Sequence, residues 1–172
     1  MSFKRSLRND FGLLGICLII IGAVVFYFKT GPAIEVFPVS APTSESFTFA
    51  KVIQVIDGDT IIIDTGQHVR YIGMDTPEIE TKQCFATESS ELNIELVEGR
   101  EVKLVKDVSD KDKYGRLLRF VYVGNVFVND ELLKEGGAKV ETVPPDTGFK
   151  EQFESSQNKA KENRLGLWGT CF

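Results

Sequence analysis

Histidine and cysteine are scarce in this 172-residue chain, which has one histidine and three cysteines. His68 lies between a turn and a strand-forming run, where an exposed hairpin residue is expected rather than a catalyst. No Cys-x-x-Cys pair and no Cys/His cluster exists, so a zinc site of the usual kind is not expected. A histidine-based triad and a thiolate metal site are therefore poor explanations, and any chemistry must depend on other side chains.

Positively charged residues are also fewer than negatively charged ones. The chain has a formal net charge of −5, and residues 47–172 carry 16 lysines and arginines against 22 aspartates and glutamates, a net charge of −6. A protein that holds nucleic acid by bulk electrostatics is normally basic. Contact with a polyanion would therefore depend on local charge, from a bound cation and from Arg70, Arg116, Lys111 and Lys113.

The chain contains one long apolar run. Residues 11–28 carry no charge, and 18 residues at about 1.5 Å each nearly cover a hydrocarbon core of about 30 Å. Lys4, Arg5 and Arg8 precede the run, whereas Lys29 alone follows it. The positive-inside rule then predicts a single-pass protein of the cell membrane whose N-terminus is cytoplasmic and whose C-terminal part is extracytoplasmic.

A cleaved signal peptide is the alternative, and it would give a secreted form. Its apolar core would normally be shorter, about 7–15 residues, and would end in a small-x-small site; Gly31–Ala33 and Val39–Ala41 match that pattern poorly. Proline, serine and threonine then dominate a stretch without apolar periodicity, which is typical of an extended linker. The predicted organisation is a cytoplasmic N-terminus (1–10), an anchor (11–28), a linker (29–46) and a domain (47–172).

The domain begins with strand-type runs rich in β-branched and aromatic residues, and helical patterns come later. The predicted strands are Phe47–Ile56, Thr60–Asp64, His68–Met74, Glu101–Lys106 and Leu117–Val123, the last turning back at Gly124-Asn125. This order favours an α+β fold, and five short strands can close into an OB-fold barrel.

Three helices are predicted between and after these strands. The first carries Phe85, Leu92 and Leu96 at near-helical spacing and ends at Gly99. The second helix is expected to start at the cap Asn129 and to end at Gly136. The third is expected to start at the cap Asp146 or Thr147 and to end at Gly166. Its core face is formed by Phe149, Phe153 and Ala160.

Four short motifs together carry the strongest functional signal: Asp57-Gly58-Asp59-Thr60, Arg70, Asp75-Thr76-Pro77-Glu78 and Asp112-Lys113-Tyr114-Gly115-Arg116. Each is ordinary alone, since Asp-Gly is first of all a hairpin turn. Together they supply carboxylates for a hard cation and for proton transfer, and two arginines for a phosphate. Cleavage of a phosphodiester needs both sets.

In order and spacing these motifs resemble the thermonuclease, or staphylococcal-nuclease-like, family, and the resemblance runs from Phe47 to Trp168. It implies an OB-fold, five-stranded β-barrel with three α-helices, here in a membrane-anchored member. It also implies a Ca²⁺ ion held by Asp59, Asp75 and the Thr76 carbonyl, with Asp57 beside these ligands.

The same resemblance implies that Arg70 and Arg116 bind the scissile phosphate and that Glu78 is the general base. Lys113 and Tyr114 match residues that hold the neighbouring phosphate. One departure is visible: the family places tyrosines after the sequence Ala138-Lys139-Val140, and here Glu141-Thr142-Val143-Pro144 follows. A platform for stacking bases is therefore expected to be missing.

These observations predict a monomeric, calcium-dependent nuclease that acts outside the cytoplasm on DNA and RNA, preferentially single-stranded or unstructured. The alternative is a catalytically weak or inactive OB-type module that only binds nucleic acid. A degenerate copy should have lost a residue from the set Asp59, Arg70, Asp75, Glu78 and Arg116, and all five are present.

Two of the three cysteines, Cys84 and Cys171, lie in the predicted external domain, whereas Cys17 lies in the apolar run. An even pair in an oxidising compartment suggests a disulfide. The alternative is two separate thiols, one buried and one on a frayed C-terminal tail.

Overall fold

The computed structural model describes residues 47–172. The predicted cytoplasmic terminus (1–10), anchor (11–28) and linker (29–46) lie outside the described residues, and they stay predictions. Within residues 47–172, no helix is both long and apolar enough to span a bilayer.

The described domain contains eight strands and four helices. The strands are β1 (Phe47–Val55), β2 (Thr60–Ile63), β3 (His68–Tyr71), β4 (Met74–Asp75), β5 (Glu101–Val105), β6 (Leu117–Val123), β7 (Val126–Phe127) and β8 (Lys139–Val140). The helices are α1 (Ala86–Val97), α2 (Val128–Lys134), α3 (Lys150–Glu162) and the single turn α4 (Leu167–Thr170).

Five strands close into a small barrel. The main sheet has the order β3-β2-β1-β5-β6-β7, and β3 also pairs in parallel with β6, which joins the two sides. β1 pairs antiparallel with both β2 and β5, and its register with β2 shifts between Val52 and Gln54. This confirms the α+β prediction and the OB-like five-stranded barrel with three helices, to which α4 is a short addition.

The barrel interior is filled by the inward-facing residues of the strands, and Val52, Ile61, Val69, Val102 and Val121 have no exposed surface. Burying a side chain of this kind stabilises the fold by about 1.5–3 kcal/mol. Aromatic rings close one side of the core, where Phe120, Phe127, Phe149 and Phe153 pack edge-on or tilted with centroids 4.7–6.2 Å apart. The predicted core role of Phe149 and Phe153 is confirmed.

The third predicted strand divides into β3 and β4 at Gly73. This residue has φ = 82°, and a Cβ there would lie 2.6 Å from the Phe153 ring. Both the left-handed conformation and the close ring require glycine. After the break, Asp75 contacts Arg70, and the Thr76 amide donates to Asp59 of the β1–β2 turn.

The predicted N-terminal helix caps are wrong, whereas Gly136, with φ = 70°, follows the C-cap of α2 as predicted. Asn129 lies inside α2, where its Oδ1 accepts a hydrogen bond from the Val121 amide (2.9 Å) and its Nδ2 donates to the Ile72 carbonyl (3.0 Å). Asp146 does not cap α3, because its Oδ1 accepts from the amides of Val108 and Ser109 at 3.0 and 2.7 Å. These side chains join distant segments instead of capping the start of a helix.

The start and end of α3 also differ from the prediction. Its N-cap residue is Phe149, so Thr147 does not cap it either. The helix ends at Glu162, and the residue that takes the left-handed conformation after it is Arg164 (φ = 53°), while Gly166 precedes α4.

A buried carboxylate joins α2 to α3. Asp130 accepts hydrogen bonds from the Ser156 hydroxyl (2.6 Å) and the Gln152 amide (2.9 Å), and it forms an ion pair with Lys134 at 2.9 Å. Burial on its own would raise the pKa of Asp130, but the hydrogen bonds from Ser156, Lys134 and Gln152 hold that pKa below its usual range.

Candidate active site

The β1–β2 turn positions Asp59. The Ile56 and Asp57 amides both donate to the Thr60 carbonyl, and Asp57 Oδ1 accepts from the Asp59 amide at 3.0 Å. The turn predicted at Asp57-Gly58 is therefore present. Helix α1 stabilises this turn, since Asn93 Nδ2 donates to the Asp57 carbonyl at 2.9 Å.

Asp59 is buried and fixed by hydrogen bonds. Its Oδ1 accepts from the Thr60 hydroxyl (3.1 Å), and its Oδ2 accepts from both the amide (2.8 Å) and the hydroxyl (3.0 Å) of Thr76. Gly58 permits this approach, because a Cβ at Gly58 would lie 2.6 Å from the Thr76 side chain. The turn and the Asp75-Thr76 segment are thus locked together.

Arg70, on β3, is largely buried among three carboxylates. Its Nη1 forms an ion pair with Asp59 Oδ2, its Nη2 donates to Asp75 Oδ1 at 2.6 Å, and Nη2 lies 3.8 Å from Glu141 Oε2. One guanidinium therefore neutralises only part of the charge of three carboxylates, and the surroundings of Arg70 carry excess negative charge.

Burial, together with this negative charge, shifts the pKa values of two carboxyl groups upward. Burial, followed by the nearby Asp59 carboxylate, raises the pKa of Asp57 to about 6. Burial also raises the pKa of Asp75, and the charges of Asp59 and Glu141 add to the rise while Arg70 opposes it. Added positive charge would stabilise these groups in their ionised forms.

Glu78 lies on the exposed loop that follows Pro77. Its amide donates to Gln83 Oε1 at 3.3 Å, and its carbonyl accepts from the Gln83 amide at 3.2 Å, so Gln83 holds the backbone of Glu78 from both sides. Within residues 47–172 the Glu78 carboxylate makes no hydrogen bond or ion pair, which leaves it open to water.

The same loop ends at a disulfide. Cys84 is bonded to Cys171 near the C-terminus, across 87 positions of the sequence and with 6.0 Å between the Cα atoms. The bond attaches the segment that carries Glu78 to the end of the chain.

A second polar loop precedes β6 and presents Arg116. Asp112 organises it: Oδ2 accepts from Arg116 Nε at 2.7 Å, and Oδ1 accepts from the amides of Tyr114 and Arg116. Tyr114 is 73% exposed, and Lys113 Nζ lies 4.9 Å from the centroid of its ring. The loop thus offers two cations and one accessible ring to a ligand.

An open groove of about 540 Å³ connects this loop with Arg70. Its walls include Arg70, Lys113, Tyr114, Arg116 and Glu141. The candidate residues therefore form two adjoining clusters, one that lines the groove and one in which Asp59 and Asp75 contact Arg70 while Thr76 contacts Asp59. Glu78 and Asp57 do not line the groove.

The oxygen atoms near Arg70 suit a hard cation. Asp59 and Asp75 both contact the same guanidinium, so their carboxylates converge on one positive group, and the Thr76 carbonyl is the third oxygen donor of the predicted set. Calcium takes such ligands together with water in flexible geometry. Within the described domain, no group of three or more histidine, cysteine, aspartate or glutamate residues forms a metal site, so a cation here would depend on two carboxylates, a carbonyl and water.

Two residues near the site were missed by sequence reasoning. Glu141 reaches Arg70 because β8 pairs with β4, with Asp75 opposite Lys139. Asn93 is buried on α1 and links the Tyr71 hydroxyl (2.9 Å) to the Asp57 turn. An amide side chain on the inner face of an amphipathic helix is a usable signal for such a residue; for Glu141 no local signal exists.

An OB-like barrel with two arginines, two convergent aspartates and an open groove lined partly by charged side chains defines a protein suited to an anionic, phosphate-bearing ligand. The family profile described as staphylococcal nuclease homologue matches residues 68–170. The chain therefore belongs to the staphylococcal nuclease family.

Curated relatives agree with this assignment. A thermonuclease of Staphylococcus hyicus is 32% identical over 163 residues, covering 91% of this chain and 94% of that protein. A thermonuclease of Staphylococcus intermedius is 37% identical over 67% of this chain and 73% of its own length. Endonuclease YncB of Bacillus subtilis (strain 168) is 41% identical over 67% of this chain and 59% of its own length.

Proposed function

We propose that this protein is a calcium-dependent nuclease that hydrolyses phosphodiester bonds of DNA and RNA. The observation that carries the proposal is Arg70, held between Asp59 and Asp75 at the edge of a groove that Arg116 also lines. The names of the relatives, two thermonucleases and an endonuclease, support the same reaction.

In this proposal Arg70 and Arg116, which both line the groove, bind the scissile phosphate, and Arg70 does so once a cation has taken its place at Asp59 and Asp75. A guanidinium stays charged and donates two parallel hydrogen bonds, and such donors gain most where negative charge develops in the transition state. Asp112 holds Arg116 in place through its Nε, which leaves the terminal nitrogens of the guanidinium for the substrate. Calcium, when bound by Asp59, Asp75 and the Thr76 carbonyl, would supply neutralisation of the phosphate charge.

Glu78 is the proposed general base for the attacking water. Its carboxylate is exposed and without a partner in the described domain, as a base that must accept a proton from solvent requires. Gln83 fixes the backbone at Glu78, so the carboxylate moves only through its own side-chain torsions.

The groove indicates a flexible substrate. It is an open channel, and Lys113 and Tyr114 on its wall suit a neighbouring phosphate and its sugar. Thr142 and Pro144 stand where the family has stacking tyrosines, and aromatic stacking is worth about 1–3 kcal/mol per base. We therefore propose weak ground-state affinity, little base preference, and action on single-stranded or unstructured DNA and RNA as a monomer.

The proposed location is the outer face of the cell membrane, with residues 11–28 as the anchor and a secreted form if that segment is cleaved. The basic residues before the run support this orientation. The Cys84–Cys171 disulfide supports it independently, because structural disulfides persist in oxidising compartments outside the cytoplasm.

The test is cleavage of single-stranded DNA and RNA by the full-length chain in calcium and in excess chelator. Calcium should support cleavage and chelator should abolish it, whereas full activity in chelator would contradict the metal assignment. Arg116→Ala should lower kcat by about 10²–10³, the usual effect of removing one transition-state donor. Arg100→Ala is the matched control, since Arg100 is an exposed arginine outside the groove. Binding without cleavage by the parent chain would favour the non-catalytic OB-type module.

A further inference from the structure

The outer face of the barrel carries exposed aromatic and aliphatic side chains at the start of the domain. Along β1, Phe47, Phe49 and Ile53 are 49%, 60% and 56% exposed, while Ala50 and Val52 point inward. Side chains two apart on a strand share a face, so these three lie along one line. We call this surface, together with Lys103 on the neighbouring strand β5, the outer aromatic face.

The face extends from β1 onto β5. Phe49 lies opposite Lys103 on β5. The Phe47 and Phe49 rings meet edge-on with centroids 5.6 Å apart. Lys103 Nζ lies 4.9 Å from the Phe47 centroid. The two rings and the Lys103 cation therefore form one surface.

We propose that the outer aromatic face rests on the headgroup region of the lipid bilayer. This rests on the anchoring part of the proposed function but not on nuclease activity. Aromatic rings and lysine side chains combine an apolar body with a polar or charged end, which is the composition favoured at membrane–water interfaces. The face belongs to the strand that the chain enters directly from the linker.

The length of the linker keeps this face near the membrane. Eighteen residues separate the apolar run from Phe47, so the distance that they can bridge is at most about 65 Å. A weak surface contact then becomes an intramolecular one with a high effective concentration. The net charge of −6 for residues 47–172 opposes attraction to anionic lipid, so the contact depends on the apolar side chains.

Docking through this face would leave the groove open. β1 has nine residues from Phe47 to Val55, about 30 Å at 3.3 Å per residue, and the Asp57 turn follows it. Phe47 and Phe49 lie at the end of β1 away from Asp59, whereas Ile53 lies nearer to it, so the contact that leaves the groove open is the one made by the two rings. A long polymeric substrate could approach the groove from solvent while the domain lies on the bilayer.

The test is fluorescence quenching in vesicles made of phosphatidylcholine with brominated acyl chains. The full-length chain is reconstituted as the parent, as Phe49→Trp and as the control Ile94→Trp, which changes an exposed apolar residue on α1. Trp168 is common to all three. The emission added by Phe49→Trp should fall by about half in brominated vesicles, since an interfacial side chain lies within about 5–10 Å of the acyl boundary. The emission added by Ile94→Trp should not change.

Three results would overturn the proposal. Equal quenching of the two variants would mean that the outer aromatic face does not contact the bilayer in preference to other surfaces of the domain. Blue-shifted emission from Phe49→Trp that bromine does not affect would mean that another part of the chain, or a second copy, covers it. A chain that fails to float with the vesicles would refute anchoring and docking together, while cleavage of DNA by the same sample would leave the nuclease proposal standing.

Discussion

The Cys84–Cys171 disulfide offers the most quantitative prediction. Replacing both residues by serine removes a link between positions 87 apart in sequence. For a closed loop of that length the chain-entropy model predicts about 4.6 kcal/mol at 25 °C, while measured effects are typically about 2–4 kcal/mol. Because this bond also holds the loop before α1 to the C-terminus, we expect a loss within the measured range.

The assay is unfolding of residues 47–172 in urea and by heat, with the parent, the reduced parent and Cys84→Ser/Cys171→Ser. A loss of about 2–4 kcal/mol corresponds to a decrease in Tm of about 7–15 °C for a domain of this size. The double variant should match the reduced parent and should not respond to reductant.

A stability loss below about 1 kcal/mol would contradict the loop-closure argument, which expects more for a loop this long. Peptide mapping without reduction provides the second check on protein taken from its native compartment. Two free thiols there would remove the oxidising-compartment argument for an extracytoplasmic domain.

Three further predictions concern single side chains. Glu78→Gln should lower kcat by about 10²–10⁴ with little change in stability, since it removes only a proton acceptor; a parent-like rate in steady-state assays would exclude Glu78 as the base. Glu141→Gln should lower KM about fivefold, because an acid 3.8 Å from Arg70 Nη2 competes with the phosphate by about 1 kcal/mol in high dielectric. The control Glu151→Gln should have no effect, and an unchanged KM for Glu141→Gln would mean that this acid does not compete. Asp130→Asn should reduce the free energy of unfolding by about 1–3 kcal/mol at pH 7. The folded pKa of Asp130 is depressed, so its contribution is present above the unfolded pKa of about 3.9 and is lost as pH falls through the folded pKa. Urea titrations should therefore give a smaller difference between parent and variant at pH 3, and a constant difference would refute the linkage.

Local signals predicted the barrel strands well because each carries its own information. The Asp-Gly pair between two β-branched runs predicted the turn that holds Asp59, and the placement of Arg70 on the third strand followed from the next turn. Period-two patterns and turn residues depend only on neighbours in sequence, so they are readable without the fold.

Polar side chains with long-range partners were not predictable in the same way. Asn129 and Asp146 have the chemistry of helix caps, and local reasoning assigned them that role. In the fold, Asn129 bonds to Ile72 across 57 positions and Asp146 bonds to Val108 across 38. An unpaired buried amide or carbonyl is costly. The need to pair buried backbone groups therefore determined the role of these two side chains, and their local preference for helix capping did not.

The contact of Glu141 with Arg70 depends on a pairing that has no sequence pattern. β4 and β8 have two residues each, too few for any periodicity to show. Their pairing nevertheless brings the segment after Ala138-Lys139-Val140 against the metal-ligand candidates. The departure from the family at Glu141 was visible in the sequence, but its position beside Arg70 was not.

The charge balance around Arg70 connects the metal requirement to phosphate binding. Arg70 neutralises Asp59 and Asp75 in the structure, and a guanidinium that serves two buried or half-buried carboxylates is not free for a substrate phosphate. Releasing it without replacement would leave Asp59 as a buried, uncompensated charge, which is costly. Another positive charge at these carboxylates removes that cost. The affinity for phosphate and the affinity for cation should therefore rise together, since coupling between two sites is reciprocal, and the side chain that carries the coupling is Arg70.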